Sequence, residues 1–131
     1  MQCPCSSNLP YEKCCKPFHE GKICDNALQL MRSRYSGYAL NKASYIMETT
    51  HPDNPSYGRE TKQWEEDIKR FAENTSFEKL EIIDFSDGEK IAYVTFKAYL
   101  KHQGQDVSFT EKSMFEKVDN KWLYKKGEIT S

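Results

Sequence analysis

A chain of 131 residues is long enough for one domain with a sizeable core and a short appendage, and too short for two full domains. Its 19 basic and 20 acidic side chains leave a formal charge of -1, which removes the electrostatic reason to expect nucleic acid or an anionic membrane as partner. Aromatic residues make up 13% of the chain, as in a folded protein, and no apolar run approaches the roughly 20 residues that cross a bilayer.

Four of the five cysteines fall within the first fifteen residues, as Cys3-Pro4-Cys5 and Cys14-Cys15. Thiols in this arrangement converge on one tetrahedral ion if the segment between them doubles back, and zinc favours such an all-sulfur shell. Asn8-Leu9-Pro10-Tyr11 supplies the reversal, with Tyr11 large enough to cover one side of the site. The rival is a pair of disulfides. Met1 and Gln2 leave no room for a secretory leader, so a reducing cytoplasm is the expected compartment, and neighbouring Cys14 and Cys15 fit disulfide geometry poorly. Zinc on Cys3, Cys5, Cys14 and Cys15 is the expectation. Four sulfurs would complete the shell, so nearby His19 is assigned to packing or surface, and Cys24 to the core as a small apolar residue.

Lys16 to Gly21 reads as a connector. Asp25 or Asn26 then caps a helix from Ala27 to about Leu40, with Ala27, Leu28, Met31, Tyr35 and Tyr38 at helical spacing. Arg34 falls inside that apolar arc and Arg32 at its flank. A guanidinium there either finds an acidic or carbonyl partner or reaches out over the rim. Asn41 caps a shorter helix, Lys42 to about Thr49, ended by Thr50-His51-Pro52. A third helix runs from about Glu60 to Asn74 on Trp64, Ile68, Phe71 and Ala72.

From Ser76 the period becomes two, with strands expected at Phe77 to Phe85, Lys90 to Lys101, Gln105 to Val118 and Lys121 to Glu128. Asp87-Gly88, Gln103-Gly104 and Asp119-Asn120 supply reversals, the pattern of an antiparallel meander. Ala92, Val94, Phe96, Ala98 and Leu100 share one face. In the third strand Val107, Phe109, Glu111, Ser113 and Phe115 share a face, so a carboxylate and a hydroxyl interrupt an aromatic row. Three helices before a long curved sheet make an α+β domain with the helices in its concave face.

The run C-P-C-S-S-N-L-P-Y-E-K-C-C resembles the SEC-C motif, the zinc-binding element named after the tail of the translocation ATPase SecA, whose members usually read Gly-Ser-Gly where this chain has Ser6-Ser7-Asn8. Joined to Leu30-Met31-Arg32-Ser33-Arg34-Tyr35, Thr50-His51-Pro52, Glu111-Lys112-Ser113-Met114-Phe115 and Asn120-Lys121-Trp122-Leu123-Tyr124 with Gly127, it resembles the bacterial YchJ-like family. The resemblance implies a SEC-C knuckle over residues 1–22 and one nuclear transport factor 2-like cone over 23–131. It implies no activity.

Three functional readings follow. The knuckle docks a protein partner, by analogy with SecA, and the cone holds a small ligand; this binding reading is preferred, as a cytoplasmic zinc protein. Alternatively the cone is an isomerase, dehydratase or hydrolase, with Glu111 as acid or base, Ser113 as donor, Arg34 or Arg32 as charge partner, and Tyr35, Tyr38 or Tyr124 as phenolic donors. His51 joins that set unless it only caps the helix end, and Glu111 serves it unless it is a buried ion pair with Arg34 or Arg32. In the third reading zinc is a staple alone. Tyr93 and Tyr99, pointing off the outer sheet face, mark the place for a homodimer.

Overall fold

The computed structural model describes residues 1–58 and 60–130. The head begins as a minute hairpin: Cys3 N–H donates to Leu9 O and Tyr11 N–H to Met1 O, both at 2.9 Å. Ser6 and Asn8 turn it with left-handed backbones, at φ of 67° and 69°. A 3-10 turn (Tyr11–Lys13) and a short helix α1 (Lys16–His19) follow, so the expected connector at 16–21 is partly helical. Pro17, in the first turn of α1, starts the helix because its missing N–H is not needed there.

Asn26 caps α2 (Ala27–Ala39), its side chain accepting from Gln29 N–H at 2.9 Å. No residue of α2 is exposed, because the helix lies between the sheet on one side and α1 and α3 (Ala43–Glu48) on the other. Asn41 does not cap α3 as expected: it takes a left-handed φ of 58° between the two helices, and Lys42 stands at the cap position without a side-chain bond. α4 (Thr61–Glu73) is capped by the Glu60 carboxylate, which accepts from Lys62 and Gln63 N–H. It turns Trp64 and Ile68 inward and leaves Phe71 at the rim.

The sheet comprises β1 (Thr75–Ser86), β2 (Ile91–His102), β3 (Gln105–Asp106), β4 (Phe109–Val118) and β5 (Lys121–Ile129). Its order is β1-β2-β4-β5, antiparallel throughout, with β3 a two-residue addition to β2. The expected single strand from Gln105 is therefore two pieces. Ser108 breaks it, its N–H bound to Asp106 Oδ1 and its hydroxyl to the backbone of Leu100, and Val107 is exposed rather than on the inner face. Register shifts interrupt β1 twice, between Phe77 and Lys79 and between Ile82 and Asp84, and interrupt β4–β5 between Met114 and Phe115. Each bulge adds bend and twist, which curves the sheet around the helices.

The concave face carries Ala92, Val94, Phe96, Ala98 and Leu100 of β2, all buried, as alternation predicts. They join Leu30, Met31 and Tyr35 of α2 in one apolar cluster that also includes Cys3, Cys5, Cys15 and Tyr11. The head thus shares the core of the cone.

Arg34 fixes α2 against α3. Its Nη1 donates to Ile46 O (3.0 Å), Thr49 Oγ1 (2.8 Å) and Thr50 Oγ1 (3.2 Å), and the guanidinium lies 4.7 Å from the Tyr124 ring centroid. A carbonyl partner therefore answers the burial of this cation. Arg34→Met keeps much of the volume and removes every donor. Urea unfolding should show a loss of about 2–4 kcal/mol. A loss below about 0.5 kcal/mol would mean that the guanidinium holds nothing in place.

Candidate metal centre and cone pocket

The Sγ atoms of Cys3, Cys5, Cys14 and Cys15 lie within 4.8 Å of one another, and three of the four residues are buried. Such a set can hold a metal ion. Cys3 and Cys5 come from the hairpin, while the 3-10 turn and the start of α1 deliver Cys14 and Cys15. Sulfurs this close cannot all ionise without a cation among them. Hydrogen bonding from Cys15, reinforced by Ser7 and the other thiols, holds Cys5 down to about 4. Its partner Cys15 is pushed far up, first because it donates to Cys5 and then by burial, and burial lifts Cys14 to about 11. The electrostatic demand of the cluster is thus for positive charge.

Arg32 answers part of it. It does not line the cone pocket as expected: the two-residue step between it and Arg34, about 200° around α2, turns it from Arg34's side towards the head. Its Nη1 donates to Cys5 O at 2.8 Å and lies 4.0 Å from Cys5 Sγ. His19 is no ligand either. Its Nε2 donates to Ser33 O (2.8 Å), so its Nδ1 accepts from the Tyr11 hydroxyl (2.6 Å), and burial holds its pKa below 6.5. Tyr11, 8% exposed, is buried in the same apolar cluster as Cys3, Cys5 and Cys15. Ser6 Oγ accepts from Leu80 N–H at 3.0 Å and ties the hairpin to β1. Cys24 is buried.

On the other side of α2 a cavity of about 400 Å³ opens between helices and sheet. Of the expected residues, Arg34, Tyr35, Tyr38, Glu111, Ser113 and Tyr124 line it. Periodicity had not singled out Trp64, Asp67, Phe96 and Phe109 as lining residues; the first two sit on α4, whose placement over the sheet is a tertiary fact. Glu111 Oε2 accepts from Ser113 Oγ at 2.5 Å and from Tyr124 Oη at 3.0 Å. Burial first, then the Glu111 charge, pushes the Tyr124 phenol up, so it stays a donor. The expected ion pair between Glu111 and Arg34 or Arg32 is not formed among the described residues: Nη1 of Arg32 turns to Cys5 and Nη1 of Arg34 to the end of α3.

Gly127 makes room for this carboxylate. It pairs with Ser113 across β4–β5, and a Cβ built on it would overlap the Glu111 carboxylate and stand 2.6 Å from Tyr124 Oη. The adjacent bulge skips Lys125 in the register and brings Tyr124 opposite Phe115, on the pocket side.

His51 stands apart from the pocket. Its Nδ1 accepts from Asp53 N–H (2.9 Å), which leaves Nε2 to donate to Glu116 Oε1 at 2.6 Å, with Lys125 Nζ 3.4 Å from the same oxygen. His51 does not cap the end of α3 as expected but the turn after it, at Asp53 N–H, and Glu116 was not foreseen because it is distant in sequence.

Two outcomes follow. Gly127→Ala should lower stability by about 1–3 kcal/mol, and most of that cost should vanish in the double variant with Glu111→Ala; additive losses in a double-mutant cycle would show that glycine serves something else. The His51 hydrogen bond, then Lys125, holds Glu116 below its ordinary 4.5. A depressed carboxylate contributes stability above its ordinary range and loses it as pH falls through the depressed value. The gap in urea midpoint between the parent and Glu116→Gln should therefore be open at neutral pH and close below pH 4.5; a pH-independent gap would rule this out.

Residues 26–127 match the family model described as the middle NTF2-like domain of YchJ. A UPF0225 protein of Actinobacillus succinogenes is 36% identical over 93% of this chain and 78% of its own length. A second, from Streptomyces coelicolor, is 37% identical over 97% and 94%. The solution structure of RPA3114, a SEC-C motif containing protein from Rhodopseudomonas palustris, superposes with a TM-score of 0.86 at 29% identity and covers 100% of both chains. With the cysteine cluster ahead of the curved sheet, these matches establish that the chain belongs to the YchJ-like (UPF0225) family, an NTF2-like cone preceded by a SEC-C motif.

Proposed function

We propose that this chain is a zinc protein whose metal fastens the head, residues 1–22, to a cone, residues 23–131, that binds a small ligand without transforming it. The observation that carries the binding reading is the pocket floor. Glu111 is already engaged by two hydroxyl donors on one oxygen, and His51, the other candidate base, is bonded to Glu116 outside the cavity. A carboxylate held by hydroxyls at the floor of an apolar cavity orients a ligand; acid-base turnover asks for a second group at the floor to accept or return the proton.

Zinc is supported by sulfur spacing. Zinc–thiolate bonds of about 2.3 Å place the edges of a tetrahedral shell at about 3.8 Å. The Cys5–Cys14 and Cys14–Cys15 sulfurs stand 3.6 and 3.9 Å apart. Four thiolates around a divalent ion keep a net negative charge, which the Arg32 guanidinium faces. A staple role is favoured over docking because Tyr11 is buried and Phe18 is packed against the core beneath Lys22. Exposed Leu9 and Met1 are what the head offers a protein partner. The homodimer reading is weaker still: Lys112 lies 5.0 Å from the Tyr93 ring, and Lys97 and Lys79 lie 4.7 and 5.5 Å from Tyr99, so a second copy would bury ammonium groups. No described helix is long and apolar enough to cross a membrane.

Native mass spectrometry of protein purified without added metal tests both halves. One zinc per chain, lost with Cys14→Ser or on chelation together with a fall in melting temperature, is expected. A metal-free mass short by the hydrogens of two disulfides would overturn the centre. A retained small molecule released by Glu111→Gln would carry the pocket assignment further, and a product formed from it on incubation would defeat the non-catalytic reading.

A further inference from the structure

The pocket's chemistry is selective, and its charges, its rings and the direction of its hydrogen bonds agree on what it selects. Among the described lining residues the acidic groups are Glu111 and Asp67 and the basic group is Arg34. Arg34 has committed Nη1 to Ile46 O and two threonines and its face to Tyr124. Asp67 is engaged by Gln63 Nε2 at 2.9 Å and Arg70 Nη1 at 3.4 Å, so Glu111 is the carboxylate at the floor, held by two hydroxyls rather than by a cation.

The walls are aromatic. Tyr38 meets Phe71 edge to face at 5.8 Å, Phe71 meets Phe77 at 5.9 Å, and Phe96 meets Phe109 at 6.0 Å, with interplanar angles of 85°, 87° and 70°. The negative faces of such rings attract cations, more strongly where water is excluded. Direction completes the case. The hydroxyls of Ser113 and Tyr124, which could have greeted an anion, both donate inward to Glu111 Oε2. The floor thus offers a ligand an acceptor rather than a donor.

We infer that the cone pocket takes an organic cation: a primary or secondary ammonium carried on an apolar body, its N–H groups turned to Glu111 and its body among the rings. The inference rests on the reading of the cavity as a binding site. A volume of about 400 Å³ suits a body of roughly ten to fifteen heavy atoms. An anion of the same shape would meet the Glu111 carboxylate, and a neutral isostere would gain the apolar contact without the charge.

Three matched probes separate these cases: phenethylammonium, phenethyl alcohol and phenylpropionate, each titrated at neutral pH into the metal-loaded full chain and followed by amide NMR shifts at Phe96, Ser113 and Tyr124. The ammonium should bind about tenfold or more tightly than the alcohol, with the carboxylate weakest. In Glu111→Gln the ammonium preference should disappear while the alcohol's affinity changes by no more than about threefold. Alcohol binding as tightly as ammonium, or carboxylate binding tightest, overturns the cation assignment and leaves the pocket a binding site. No shift at these residues with any probe overturns the binding reading itself. Should Glu111→Gln fail to fold, the ranking in the parent protein decides alone.

Discussion

A helix enclosed on every side needs partners for the polar groups it carries, and α2 imposes that constraint on the whole molecule, the buried Tyr35 hydroxyl being an exception that goes without one. Its sequence is not conventionally amphipathic: Arg32, Ser33, Arg34 and Ser36 sit among Leu30, Met31 and Tyr35, and none of them is exposed. Because successive side chains step around the helix by about 100°, four neighbours in sequence address four different surroundings. Arg32 reaches the backbone of Cys5, Ser33 the hydroxyl of Tyr45, Arg34 the end of α3, and Tyr35 the ring of Phe77 on β1. Leaving Ser33 or either arginine unmet would cost on the order of 1–3 kcal/mol, more for a charge. The head, α3 and the sheet edge are therefore held in register by what α2 must satisfy.

The head shows the same economy in miniature. So few residues cannot bury enough surface to fold alone, and metal coordination supplies the missing free energy in modules of this kind. Here the thiols also belong to the cone's apolar cluster, so an ordered head and an ordered core support each other. Ser6 holds a left-handed backbone that costs a non-glycine residue about 1 kcal/mol. Its hydroxyl offsets the strain by accepting from Leu80 N–H, a bond glycine could not make. The departure from the usual glycine at this position exchanges loop freedom for attachment to β1.

Much of this architecture was legible in the residues. Strict alternation from Ala92 to Leu100 identified the inner face of β2, the turn dipeptides located the reversals, and Asn26 marked the start of α2. The cysteine spacing alone brought four thiols together. What could not be read was whatever depends on long-range approach. The bulge at Met114 and Phe115 leaves no mark in composition, yet it decides which face Tyr124 joins. Arg32 looked like a pocket residue because it neighbours Arg34; its partner lies 27 positions away in the head. Asn41 looked like a cap because Asn favours caps, but the same short side chain tolerates the left-handed turn that the α2–α3 junction needed more.

The most consequential arrangement is a Glu111 that faces the cavity, a reading the sequence left open beside a Glu111–Arg34 ion pair. Had the two charges met, each would have neutralised the other and the carboxylate would have closed the cavity floor. Tyr124 keeps them apart. Its face takes the guanidinium and its hydroxyl donates to Glu111, so a neutral ring links two opposite charges without pairing them. The two sites of β5 that permit this are a bulge, which turns Tyr124 inward, and Gly127, which clears the volume the carboxylate occupies. A scaffold that only needed stability would be better served by a larger apolar residue at Gly127 and a leucine at 111, since burying charged groups costs more than packing hydrocarbon of the same shape. The fold instead maintains a carboxylate inside an aromatic cavity against that cost, and such an expense is intelligible when something of opposite charge comes to meet it.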